Sequence, residues 1–213
     1  PGLADWASAA VYLRDGEAPP DHDGQRPAAA LLAPHDRRRA PQPVLLACDV
    51  AAQACAMAQR DPTDLPCVFT SAHGDIAITD AMCATLARDP LDLSPTQFHN
   101  SVHNAPAGYW TVAARCHAVS SALSAGPGSF AAGLFEAAVE AAAEATPVLF
   151  VAYDVAAPGP LADVLQAAAP FGVALLLNPE RSPSARATLR LRHEPQVAHA
   201  QVAPPAAMAV LKT

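Results

Sequence analysis

Ser124-Ala125-Gly126-Pro127-Gly128-Ser129 ends a short β-run and opens an Ala-rich helical one. Such a turn is a natural seat for a nucleophile. Backbone N–H groups at a helix N-terminus point at its tip and stabilise negative charge there. A strand that delivers a residue to that point forms a catalytic elbow. No cysteine stands among the six residues, so the frame lacks its expected reactive atom. Ser124 or Ser129 offers a hydroxyl, but the pattern is not Gly-x-Ser-x-Gly, and no base can be assigned to it.

Three other groupings bear on chemistry. His99 and His103 are four apart in FHNSVHN, a spacing that puts two imidazoles on one helix face and within reach of a metal. No glutamate occupies the zincin position between them and no third ligand is near. They are read as bonding to backbone or to a partner chain, and no metal is expected. Cys116-His117 sets a thiol beside an imidazole, but neighbours on a strand or a helix do not face each other, so catalysis is not expected there. Ser71-Ala72-His73-Gly74-Asp75 ends a β-rich run. Strand C-termini in α/β sheets line ligand crevices, yet a turn with Asp75 capping the next helix is the simpler reading. No cofactor motif is present, and no cofactor is expected.

The elements that must position these residues alternate. Helical spacing runs over Leu3 to Leu13, Pro43 to Gln59, Ile76 to Arg88, Phe130 to Ala145 and Leu161 to Ala169, and a polar helical segment follows Ser94. β-runs cover Cys67 to Ser71, Ala118 to Ser124, Pro147 to Tyr153 and Phe171 to Leu177. The last two are continuous apolar runs, as strands buried on both faces are. Thr188 to Arg192 alternates and is expected to be an edge strand. Residues 14–26 are a Pro-rich loop and 196–213 a poorly patterned tail. The expectation is an α/β fold of one domain over 1–213, with a mainly parallel sheet covered by helices on both faces.

Composition excludes several classes. A formal charge of −7 and a pI near 5.5 argue against nucleic acid or an acidic membrane surface, and Arg37-Arg38-Arg39 is too short for more than a local patch. No apolar stretch approaches the roughly 20 residues that span a bilayer. Alanine is the largest single part of the 52% hydrophobic fraction and aromatics are 5%, which suits close packing of small side chains. Five cysteines, an odd number in apolar contexts, are read as reduced, buried thiols of a cytoplasmic protein. Cys48 and Cys55 share one helix face. Pro1 is not an initiator, so residues upstream of it are expected.

The order Ser94-Pro95-Thr96, Phe98-His99-Asn100-Ser101-Val102-His103-Asn104, Gly108-Tyr109-Trp110, Ser124-Ala125-Gly126 and Phe130-Ala131-Ala132-Gly133-Leu134 resembles the N-terminal half of β-ketoacyl synthases. It is similar above all to the short ketosynthase-like proteins of bacterial aryl polyene and xanthomonadin-type pigment clusters, read as chain-length factors that pair with an active ketosynthase. The resemblance runs from Pro1-Gly2-Leu3 and Trp6, through Arg37-Arg38-Arg39, to about Asp154.

It implies a thiolase-like fold and a site to inspect. Active ketosynthases carry a cysteine in a Thr-Ala-Cys-x-Ser-Gly type elbow, its thiolate favoured by the helix N-terminus. On that pattern Gly126 takes the cysteine position, and glycine cannot hold an acyl group. The C-terminal half that supplies the histidines or asparagine of the reaction is largely missing, and His193 and His199 lack those motifs. The resemblance therefore implies a partner subunit without its own chemistry, which sets acyl chain length in a heterodimer. The interface or tunnel would draw on Phe98, His99, His103, Tyr109, Trp110, Ser120, Ser121 and Ser124. For Tyr109 and Trp110, local core packing is an equal reading. Acyl carrier protein would dock mainly on the catalytic subunit, with Arg37 to Arg39 the one sensible contact here. A stand-alone acyl-transferring or thioester-cleaving enzyme is the alternative, and a homodimeric acyl-binding module a third.

Overall fold

The apolar run Val148–Asp154 forms β3, and every residue before Asp154 is buried. Alternation along the strand divides its side chains between two cores. Leu149, Val151 and Tyr153 face one side, and Val148, Phe150 and Ala152 the other. Burying each large apolar side chain this way contributes about 1.5–3 kcal/mol relative to exposure. The computed structural model describes residues 5–16, 26–165, 169–183 and 185–192.

Four strands make one sheet in the order β2-β1-β3-β4, with β1 at Cys67–Thr70, β2 at Ser120–Leu123 and β4 at Phe171–Leu177. β1 pairs in parallel with β2 and with β3, so Cys67 faces Ser120 on one side and Leu149 on the other. β4 runs antiparallel to β3, with Val148 opposite Leu177. Two of three pairings are parallel, as expected; the antiparallel edge makes the sheet mixed.

The described residues include eight α-helices: α1 (Trp6–Asp15), α2 (Pro34–Arg39), α3 (Gln42–Met57), α4 (Ile76–Arg88), α5 (Pro95–Asn100), α6 (Ala105–Ala114), α7 (Ser129–Glu144) and α8 (Ala162–Leu165). Topology decides which face each takes. From β1 the chain steps to β2 through α4, α5 and α6; from β2 it steps back past β1 to β3 through α7. Parallel crossovers are right-handed, so opposite steps place their helices on opposite faces. Accordingly α3 and α6 cover the Leu149 face, and the Ala137–Ala141 side of α7 covers the Phe150 face. Close approach of α7 needs Gly133: a Cβ there would lie 2.8 Å from Phe150 Cε2 and 2.9 Å from Thr70 Cβ. Phe130 meets Phe150 edge-to-face with centroids 5.4 Å apart.

Several expectations need correction. The polar helical segment after Ser94 is not one helix: α5 ends at Asn100 and the chain turns before α6 begins at Ala105. Phe171–Leu177 is not buried on both faces. It is a sheet edge with exposed Phe171, because the short α8 connection returns the chain beside β3 without a crossover. Thr188 to Arg192 forms no strand. Cys83 is exposed on α4, whose outer side nothing covers among the described residues, while Cys48, Cys55, Cys67 and Cys116 are buried. All five are free thiols. The helix Pro34–Arg39 was not foreseen; Pro34 starts it and three arginines favour its C-terminal dipole. Residues 3–4, most of the 14–26 loop, 166–168, His193, His199 and the 196–213 tail lie outside the described residues.

Candidate functional site: the elbow and the strand beside it

β2 hands the chain to α7 through Ser124, Ala125 and a single 3-10 turn, Gly126–Gly128. Gly126 has φ +54°, in the left-handed region where a Cβ is disfavoured. A Cβ built there would meet nothing within 4 Å. The elbow therefore has room for a side chain at its tip and carries none. Ser129, buried at the first turn of α7, staples the bend: its Oγ accepts the Ala125 N–H at 2.9 Å and donates to the Gly126 carbonyl at 2.7 Å. Ser124 is exposed and its hydroxyl donates to the Ala72 carbonyl at 3.1 Å. Both hydroxyls bond to backbone groups, and among the described residues neither is hydrogen-bonded to a basic side chain.

The strand ends behind the elbow form a polar net. Thr70 Oγ1 lies 3.2 Å from the Leu123 carbonyl and 3.0 Å from that of Ser129. Ser71 Oγ donates to Asp154 Oδ1 at 2.7 Å and accepts the Gly74 N–H at 2.8 Å, while the Ala72 N–H reaches the same carboxylate at 3.0 Å. Asp75 accepts the Ile78 N–H at 3.0 Å and caps α4, as the sequence implied. Burial pushes its carboxyl above the ordinary range, against the pull of that bond. Neither Asp154 nor Thr70 stands out as a site residue from local pattern. The available signal was a buried parallel strand ending in polar residues, which need partners at neighbouring strand ends.

The candidate residues separate. His99 is exposed on α5 and its ring lies 6.3 Å from that of Tyr109, while His103 sits half-buried in the following turn, its Nε2 3.0 Å from the Leu123 carbonyl. The break between α5 and α6 takes the two imidazoles off a common helix face. Among the described residues, no three His, Cys, Asp or Glu side chains gather as metal ligands. Phe98 is 63% exposed. Tyr109 donates to Asn100 Oδ1 at 3.1 Å, and burial raises its phenol above the usual range. Trp110 is wholly buried in the α3–α6 core, so it packs there and reaches no surface. Ser120 is exposed and Ser121 half-buried on β2, which among the described residues has a strand neighbour on one side only. Cys116 is buried with its Sγ donating to the Leu65 carbonyl at 3.4 Å, and His117 is exposed, so the pair does not meet. Arg26 and Arg37 place guanidinium N–H groups on the carbonyls of Arg37 and Ala28, leaving Arg38 and Arg39 exposed on α2.

Residues 5–212 match the family of the β-ketoacyl synthase N-terminal domain. The chain belongs to that family. Its fold is the thiolase-like one of a ketosynthase N-terminal domain. The match extends past Asp154, where the resemblance ceases to be legible by eye. A solved structure, the ketosynthase ApeO in complex with its chain length factor ApeC from Xenorhabdus doucetiae, is similar at 34% identity and a TM-score of 0.63, over 76% of this chain and 68% of that one. A β-ketoacyl synthase from Burkholderia phymatum STM815 shares the fold at 12% identity and a TM-score of 0.56, over 68% of this chain and 36% of that one. No curated protein matches. Among the described residues of this ketosynthase-family chain, no helix is long and apolar enough to cross a membrane.

Proposed function

We propose that this chain is a non-catalytic ketosynthase-like partner, a chain-length factor, that pairs in the cytoplasm with an active β-ketoacyl-ACP synthase and limits the length of its polyene or fatty acyl product. The observation that carries the reading is Gly126. It stands at the tip of an intact elbow, where the sequence resemblance puts the ketosynthase cysteine, with space around it and no atom able to hold an acyl group.

Two further features support it. The edge strand β2 is short, lined by Ser120, Ser121 and Ala122, and its outer edge offers N–H and C=O groups that no strand takes up among the described residues. Such an edge invites a strand from another chain. The cavity lined by Asn100, Val102, His103 and Tyr153 holds about 10 Å³, room for roughly one water, and the larger space of about 210 Å³ lined by Pro41, Asp75, Ile78, Gln97 and Val155 is an open cleft, not a closed tunnel. A growing chain would then lie in the partner's tunnel, with Phe98, His99 and Tyr109 near its wall. Acyl carrier protein would dock on the synthase, touching this chain at most through Arg38 and Arg39.

Co-expression with an active ketosynthase tests the reading. The two should co-purify, the pair should condense, and the chain alone should be inactive. Full condensing activity from the isolated chain would sink the proposal and favour a stand-alone enzyme.

A further inference from the structure

His103 joins three strand ends that lie far apart in sequence. Its Nε2 lies 3.0 Å from the carbonyl of Leu123, the last residue of β2. Its own carbonyl accepts the Tyr153 hydroxyl from β3 at 3.4 Å. Its Nδ1 side faces the turn after β1, where a Cβ on Gly74 would sit 3.4 Å away. A carbonyl only accepts, so Nε2 carries a proton, as it does in one neutral tautomer and in the imidazolium. The bond is therefore compatible with either charge state.

Among the described side chains, the Leu123 carbonyl has one other suitor. Thr70 Oγ1 has a single proton and two acceptors in reach, Leu123 at 3.2 Å and Ser129 at 3.0 Å. The imidazole N–H is the donor that Leu123 does not share. The bond is half-buried, and the cavity that His103 lines has room for roughly one water. Ser124, the next residue, begins the elbow.

We propose that His103 is the positioning residue of the elbow. Its Nε2–H fixes the angle at which β2 delivers the chain to Gly126, and with it the edge that β2 presents to a partner. The second half rests on the partner reading above; the first does not.

Amide hydrogen exchange of residues 120–129 in the isolated chain separates the two halves. His103→Phe keeps a ring and loses the donor, and should speed exchange there about tenfold, the scale of one lost buried hydrogen bond, with β3 unchanged. His103→Gln restores an N–H of similar reach and should restore protection. In titrations with an active ketosynthase, the Phe variant should bind about tenfold more weakly and the Gln variant like the parent. If the Phe variant does not fold, His103→Ala takes its place. Unchanged exchange in the donorless variant, or a Gln variant no better than it, overturns the proposal. Exchange that responds while the parent chain binds no ketosynthase overturns only the half that concerns the partner.

Discussion

Four of the five thiols sit where water does not reach, and this decides which cysteine reacts. Burial pushes Cys48 and Cys67 up to about 12 and Cys55 to about 11, by disfavouring the thiolate in an apolar surround. Cys116 is closed in against the Leu65 carbonyl. Alkylation of the native chain at pH 8 should add one label, at Cys83, and unfolding should expose all five; peptide mass mapping reads both. The same burial sets a pH dependence. A thiol whose folded pKa is raised keeps its proton while the unfolded chain loses it. Its stabilising contribution is full below about pH 9 and is lost as pH rises toward 11–12. Urea midpoints should fall between pH 8.5 and 10.5, and Cys83→Ser should leave that slope as it was.

Elements fail or hold according to how closely they approach. Gly133→Ala gains about 1 kcal/mol of helix propensity but sets a methyl within 3 Å of Phe150 and Thr70. Overpacking of that kind costs about 1–3 kcal/mol. The clash should win, lowering the melting temperature by about 5 °C in calorimetry. At the edge strand, Ala122→Pro keeps the sheet's hydrophobic faces yet removes an N–H and fixes φ. It should abolish co-purification with a ketosynthase, while Ala122→Ser should not.

These elements were legible to different degrees. Ile76–Arg88 and Phe171–Leu177 match their sequence ranges to the residue, because a capping Asp and a continuous apolar run mark them clearly. The α5–α6 break was hidden, since Pro106 in the first turn of α6 can start a helix as well as interrupt one. The edge position of β4 was also hidden: an apolar run does not say which strands will flank it. At the elbow, the sequence shows Gly126 and the turn. The net through Thr70, Ser129 and Asp154 depends on pairings between residues 53 to 83 apart in sequence, which local pattern does not encode.

At the scale of the whole molecule, an N-terminal ketosynthase frame is kept while its tip is bare. A mixed sheet with a short serine-rich edge and a helix on each side of the elbow suit a chain that shapes a neighbour's tunnel. The central claim is that chemistry happens on the partner. Native mass spectrometry of the chain mixed with an active ketosynthase and an acyl thioester tests it most directly. The account predicts a one-to-one heterodimer bearing a single acyl adduct, which dissociation assigns to the ketosynthase. An acyl adduct on this chain, or no heterodimer at all, would contradict it.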